Sequence, residues 1–456
     1  MKRLLSVLFL VGLIIGNTGA RNLHAMPDNE LMNRLEELER SIQRQQEEIR
    51  YLKQLLEEQK AAAEKTKEKD VAEIKKLVSE ELKGKEAPEW IKRIKLGGDL
   101  RLRYEGIYNR EKREADSSTT DLPTRDRYRI RARLFVDGKV SDEVKAHFMI
   151  CTNQDQRNEA TTTNQSFSND FNDKDIYLHR AYATYKPKWL EGLEITAGKF
   201  KNTFLHTDIM WDPDVNPEGI YERYQYRAGN TFQPFVQLGQ MAVNEENLQT
   251  DDAALYIYQG GFDWKIGPVK WTLAGSYYDW ANLHNSEYLH SAQYKRGGGN
   301  SFFTGDDGTL QYMYDYNLLE AITSLSFKVG SVPTKLTFDY INNVAGDVPS
   351  DHDTAYFAGF KLGKNKKEGD MSLGYKYARI ERDSVIGSMN DQDFYGANRK
   401  GHKVTLNYML LDKLRFKTAY FYTDPVTDWI ANSANWSNEQ AREHEDRLQG
   451  DLIFSF

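Results

Sequence analysis

The sequence predicts an all-β transmembrane barrel of about 16 antiparallel strands, preceded by an N-terminal α-helical coiled coil. Three observations carry this. The apolar period switches from the heptad spacing of a coiled coil to the alternation of a strand near residue 95. The links between the alternating segments are by turns long and short. The last segment alternates in step up to a terminal Phe456.

Composition bounds the reading. The 456 residues have a mean hydropathy of -0.71 yet are 12% aromatic, with 27 Tyr and 21 Phe. A soluble core would carry more aliphatic residues, whereas many aromatics and few aliphatics suit a chain wet inside with a thin apolar band outside. The net charge of -7 is modest and the basic residues are spread along the chain, so nucleic-acid binding has little support. Cys151 is the single cysteine, which excludes an intrachain disulfide and a thiolate metal site. There is no CxxCH haem motif, GxSxG or HExxH. Neither catalysis nor a cofactor is expected.

Residues 1–20 have the anatomy of a secretory signal: Lys2 and Arg3, an apolar run from Leu4 to Ile15, then Thr18-Gly19-Ala20, with Ala25 as a second cleavage position. The run is too short to span a bilayer, which takes about 20 apolar residues. Residues 21–83 read as a stalk. Leu35, Ile42, Ile49 and Leu56 alternate with Leu31, Leu38, Gln45 and Leu52 at heptad spacing. A lone helix cannot bury that stripe, so the seam predicts self-association. Pro88 ends the helix, and residues 84–94 form a linker to a barrel over 95–456.

Within the barrel, segments with strand alternation fall near 95–108, 125–138, 143–153, 175–186, 192–200, 220–229, 231–243, 253–266, 269–281, 314–329, 334–344, 353–363, 369–380, 398–411, 413–424 and 443–456. In RDRYRIRARLFV, Tyr128, Ile130, Ala132 and Leu134 share one face and Arg127, Arg129, Arg131 and Arg133 the other. A membrane barrel turns the first face to lipid and the second to the lumen. Long links on one side and tight turns on the other give the asymmetry of an outer-membrane barrel. They also put both ends on the short-turn, periplasmic side. Leu448, Gly450, Leu452, Phe454 and Phe456 share a face, the form of last strand that the barrel-assembly machinery recognises.

The third long link, 201–219, holds the densest signal. After a strand ending in Gly198-Lys199, the segment reads Thr207-Asp208, Trp211-Asp212, Asp214 and Asn216-Pro217-Glu218-Gly219. This TDxxWDxDxNPEG pattern resembles the porin family of Gram-negative, deltaproteobacterial-type outer membranes, over about 25 residues; the N-terminal coiled coil is similar to stalks in some members. The resemblance implies a homotrimeric diffusion channel in the lipopolysaccharide-bearing outer membrane, with the third loop folded inward to narrow the pore. On the residues themselves, Asp208, Asp212, Asp214 and Glu218 would face Arg101, Arg103, Arg127, Arg129, Arg131, Arg133, Arg180, Arg223 and Arg227. Such a transverse field sorts small polar solutes by charge.

Other constellations are bland. His206 with Asp208 lacks a third metal ligand, and Asp170, Asp173 and Asp175 match no calcium loop. The glycine-rich 296–308 has no strand before it or helix after it, so a phosphate cradle is unsupported. Two alternatives to passive diffusion remain: a tether joining the outer membrane to peptidoglycan through the stalk, and a barrel sheath around a secreted multihaem cytochrome.

Overall fold

The computed structural model describes residues 89–113, 119–153, 160–167, 169–226, 229, 231–245, 252–283, 298–304, 310–394, 396–427 and 444–456, together with Glu47 and Arg50, both helical. The expected signal (1–20), the rest of the expected stalk (21–83) and Arg227 lie outside the described residues. The chain divides into two units, 1–88 and 89–456.

The second unit opens with a single helical turn, Glu89–Lys92, and then forms sixteen barrel strands. They are β1 (Ile94–Tyr108), β2 (Arg125–Lys139), β3 (Val144–Thr152), β4 (Ile176–Tyr185), β5 (Leu193–Lys199), β6 (Glu218–Gln225), β7 (Phe232–Ala242) and β8 (Ala254–Ile266), followed by β9 (Val269–Ala281), β10 (Tyr316–Val329), β11 (Val332–Asn343), β12 (Thr354–Gly363), β13 (Met371–Ile380), β14 (Arg399–Leu411), β15 (Leu414–Pro425) and β16 (Glu445–Ser455). Each pairs antiparallel with its neighbours in sequence. β16 then pairs with β1, from Asp99 opposite Ser455 to Tyr108 opposite Asp446, and closes the barrel. At the seam Gly98 and Phe456 exchange backbone hydrogen bonds of 3.2 and 3.1 Å. Closure leaves the wall without an edge strand, which a sheet in hydrocarbon requires.

The alternation seen in sequence becomes inside and outside. On β7, Phe235, Gln237 and Met241 are buried while Val236 and Leu238 are exposed. On β16, Arg447, Gln449, Asp451 and Ile453 are buried and Leu448, Leu452 and Phe454 exposed. On β2 it is Arg129 and Arg131 that are buried, with Tyr128 and Leu134 outside.

All sixteen expected segments coincide with strands, most ends moving by a residue or two. The third link is 200–217 rather than 201–219, because Glu218 and Gly219 already pair with Lys199 and Gly198. Three links that the sequence predicts to be loops hold short strands. Arg110–Arg113 pairs with Thr119–Leu122, Phe302–Thr304 with Leu310–Tyr312, and Gln165–Ser166 with Arg129–Ile130 on β2. Pieces of two to four residues are too short to show a period.

The interior corrects the expectation of an evenly wet lumen. Part of it is a dry core, where Phe200, Phe204, Ile209, Met210, Trp211 and Val215 of the third link pack with Val385, Ile386, Met389 and Phe394 of link 381–398. Both groups rest on inward-facing strand residues, among them Leu255, Ile257, Tyr278, Trp280, Tyr316, Leu318 and Ile341. Trp211 stacks on Trp280 with ring centroids 5.9 Å apart. The high aromatic content thus serves two apolar surfaces, the lipid face and this inner core.

Segment 298–304 clamps link 381–398. The Asn300 amide donates to the carbonyls of Arg382 and Val385 at 2.8 and 2.6 Å, and its side-chain oxygen accepts from Gly387 N at 2.8 Å. Asp383 accepts from Ser301 N and Oγ and from the Tyr316 hydroxyl. The backbones cross so closely that a Cβ at Gly387 would stand 1.5 Å from the Gly298 carbonyl oxygen. The glycine-rich run serves this crossing.

Candidate functional site

The third link crosses the inside of the barrel and is fastened along its length. Leu205 exchanges hydrogen bonds with the Gln259 side chain of β8 at 2.8 and 2.7 Å. The Thr207 hydroxyl donates to Asp339 of β11 at 2.6 Å. Asp208 sits 2.7 Å from Lys376 of β13 and 3.5 Å from Lys403 of β14. Backbone bonds join Asp391 N to Asp208 O (3.0 Å) and Asp212 N to Met389 O (2.8 Å), so links 200–217 and 381–398 form one body. Near its end, Asp214 accepts from Thr163 N and Oγ1, and Asn216 accepts from Arg180 Nε at 2.6 Å.

What the links leave open is a cavity of about 830 Å³. Its wall is an arginine ladder set by strand register. Asp99 stands opposite Arg133, Arg101 opposite Arg131, Arg103 opposite Arg129 and Glu105 opposite Arg127. The same cavity is lined by Asp208, Asp212, Asp214, Asp391 and Asp393, of which Asp214 lies 3.8 Å from Arg133 and Asp393 3.3 Å from Arg103. Thirteen arginines and lysines line the cavity against six aspartates, in a chain whose net charge is -7. Positive charge is therefore concentrated along this cavity.

Much of that charge is paired by acids of the strands themselves. Asp99 accepts from Arg131 and Arg133 Nε at 3.0 and 2.7 Å, and Glu105 accepts from Arg127 Nε at 2.6 Å. Asp451 takes both Nε and Nη2 of Arg103, at 2.7 and 3.0 Å. Arg101 donates from Nε to the Asn164 side chain at 3.0 Å, which brings the second long link into the lumen too. Asp393 bridges Arg103 (3.3 Å) and Arg447 (2.6 Å).

The link aspartates differ in charge state. Burial pushes the Asp208 carboxyl up, but Lys376 and Lys403 outweigh it and hold it below the usual carboxylate range. Burial likewise opposes Asp214, where Arg131, Arg101 and Arg133 prevail and lower it. Asp393 is held well below the range by Arg447 and Arg103 despite its burial. Asp212 goes the other way. Burial, then its neighbours Asp214 and Asp391, push it well above the range.

Of the residues singled out from sequence, Arg101, Arg103, Arg127, Arg129, Arg131, Arg133, Arg180, Asp208, Asp212 and Asp214 all line this cavity. Two do not. Arg223 donates to Gln237 at 3.2 Å and lies over the Phe235 ring, and Glu218 pairs with Lys199 at 2.5 Å with its side chain 61% exposed. Sequence reasoning passed over Asp99, Glu105 and Asp451, although each alternates in step with an arginine on its own or the neighbouring strand. It also passed over Asp391 and Asp393, whose loop carries no periodic signal. His206 bonds the Thr207 carbonyl, and no metal-binding group of His, Cys, Asp and Glu occurs among the described residues.

Residues 118–324 match the family described as "Putative porin". No curated protein matches the chain. Among solved structures, OprB of Pseudomonas putida is similar at 11% identity and a TM-score of 0.50, covering 80% of this chain and 95% of its own. The outer membrane channel DcaP of Acinetobacter baumannii shows 14% identity and a TM-score of 0.43, covering 80% of this chain and 97% of its own.

Proposed function

We propose that this chain, porin-family sequence over residues 118–324, is an outer-membrane porin: a water-filled channel for passive diffusion of small hydrophilic solutes and ions, with link 200–217 as its constriction. The single observation that supports this best is the cavity of about 830 Å³, lined by the arginine ladder and by the link aspartates. A charged, wet passage through a closed barrel suits a permeating solute, which exchanges part of its hydration for the polar lining. In this reading residues 1–20 are removed, residues 21–83 form a periplasmic stalk and the barrels assemble as a homotrimer.

Planar-bilayer recording of the purified full chain tests it. Discrete conductance steps that scale with salt concentration are expected. A silent protein that binds cell-wall material would support the tether instead, and co-purifying haem would support the cytochrome sheath.

A further inference from the structure

Most cations of the main cavity are already answered by acids; among those with no acid in ion-pair contact are two on β15. Arg415 and Lys417 are two apart on one strand, so both face the lumen, and both line the main cavity. Neither has an ion-pair partner among the described residues, and Arg415 Nε is buried without a hydrogen-bond partner. Register places Lys417 opposite Asp451, whose two oxygens are occupied by Arg103. Arg415 stands opposite Ile453, which in turn faces Arg101 on β1.

Position adds a second observation. A smaller cavity of about 410 Å³ adjoins the first, and the lining residues common to both are Asp208, Lys403 and Lys417. At that junction Asp208 is held by Lys376, and Lys403 is held by Asp391 at 2.8 Å. Lys417 is the cation left over where the two spaces meet.

We infer that Arg415 and Lys417 form a transient binding site for a small dianion, a solute carrying two negative charges, at the junction of the two lumenal cavities. Resting on the porin reading, this narrows the solutes it favours. A monovalent anion can satisfy one of the two cations. A dianion satisfies both without displacing the carboxylates that hold Arg103 and Lys403. Compact oxyanions and short dicarboxylates share this chemistry.

The test is single-channel recording of the full chain in potassium chloride, with added hydrogen phosphate or succinate and with acetate as the monovalent control. Both dianions are expected to reduce chloride current in a saturable way, and acetate much less. In Lys417→Gln the half-blocking concentration should rise about tenfold, the effect of losing about 1.4 kcal/mol from one charge contact. Arg415→Gln should act in the same direction, and Lys417→Arg should keep the block. Chloride conductance in each variant reports that the barrel has inserted. If a variant fails to insert, calorimetric titration of the wild-type protein in detergent with phosphate against chloride reads the same site. Block by one dianion alone restricts the class to that geometry and keeps the site. Open channels with no dianion block, or with block unchanged in Lys417→Gln and Arg415→Gln, overturn the inference and leave the porin reading standing. The absence of any channel overturns both.

Discussion

At the residue scale, alternation alone sets the arginines of β2 on the inner face, and their neighbours decide how much of their charge is left uncompensated. Arg131 shares Asp99 with Arg133, and Arg129 lies 3.7 Å from Glu105. Replacing Arg129 and Arg131 with Gln leaves those acids undercompensated, so reversal potential in a salt gradient should move toward cations, and more at low salt. A change of about 1.4 kcal/mol in the relative barrier is a tenfold change in relative permeability. The link aspartates should not act alike. Asp214→Asn removes a charge and should move reversal potential toward anions, whereas Asp212→Asn should move it less, because burial, Asp214 and Asp391 disfavour the charged form of that carboxyl. The same shifts give a sign for pH. Asp208, Asp214 and Asp393 are lowered in the folded state, so their contribution to stability is present above the ordinary carboxylate pKa of about 3.9 and is lost as pH falls through their lowered values. Asp212 is raised, so its ionisation at high pH opposes the seating of the link. Thermal unfolding across a pH series should show loss at the acid end, with Asp212→Asn more tolerant of alkali than the wild type.

At the scale of elements, the wall was legible and the inner core was not. A strand announces itself by alternation over many residues, as in β2 or β16. Links 200–217 and 381–398 have no period, and their docking depends on contacts between residues far apart in the chain, such as Asp391 N with Asp208 O. The third link was found through its TDxxWDxDxNPEG segment; link 381–398 offered nothing comparable. Its clamp is open to test. Gly387→Ala places a methyl where the Gly298 carbonyl stands, an overpacking that costs about 1–3 kcal/mol. The expected outcome is a barrel that still inserts, with larger and noisier conductance as the link comes away from its seat. The last strand makes a different demand. The Phe456 ring is 66% exposed and lies over Gly98, where a Cβ would come within 2.5 Å of it. Phe456→Ala should cost less than the roughly 1.5–3 kcal/mol of a fully buried side chain. The barrel should therefore refold in detergent nearly as well as the wild type, while the yield of assembled protein in cells drops. Equal yields in cells would remove the assembly role.

For the whole molecule, the ladders that close the barrel all lie within Ile94–Ser455. Trimming residues 21–83 should leave a barrel that folds and conducts, because the strand pairings among the described residues all lie outside that stretch. The heptad seam of Leu31, Leu35, Leu38 and Ile42 should contribute to association instead. Sedimentation in detergent is expected to give a trimer for the full chain and a species that dissociates at lower temperature for the trimmed one. A full-chain monomer would count against both the seam and the trimer.

The dry core inside the barrel bears on how the molecule reaches its final state. The wall can be built in the order of synthesis, since each strand hydrogen-bonds to the one before it and only the seam waits for the end. The core cannot. Thr207 meets Asp339 across 132 residues, and Asp208 meets Lys376 on β13. Trp211 finds Trp280 only when the third link has turned inward. Contacts so distant in sequence are the slow ones to form. The third link can take its seat only once β9, β11 and β13, which hold it, are in place, so we expect its docking to follow the pairing of those strands.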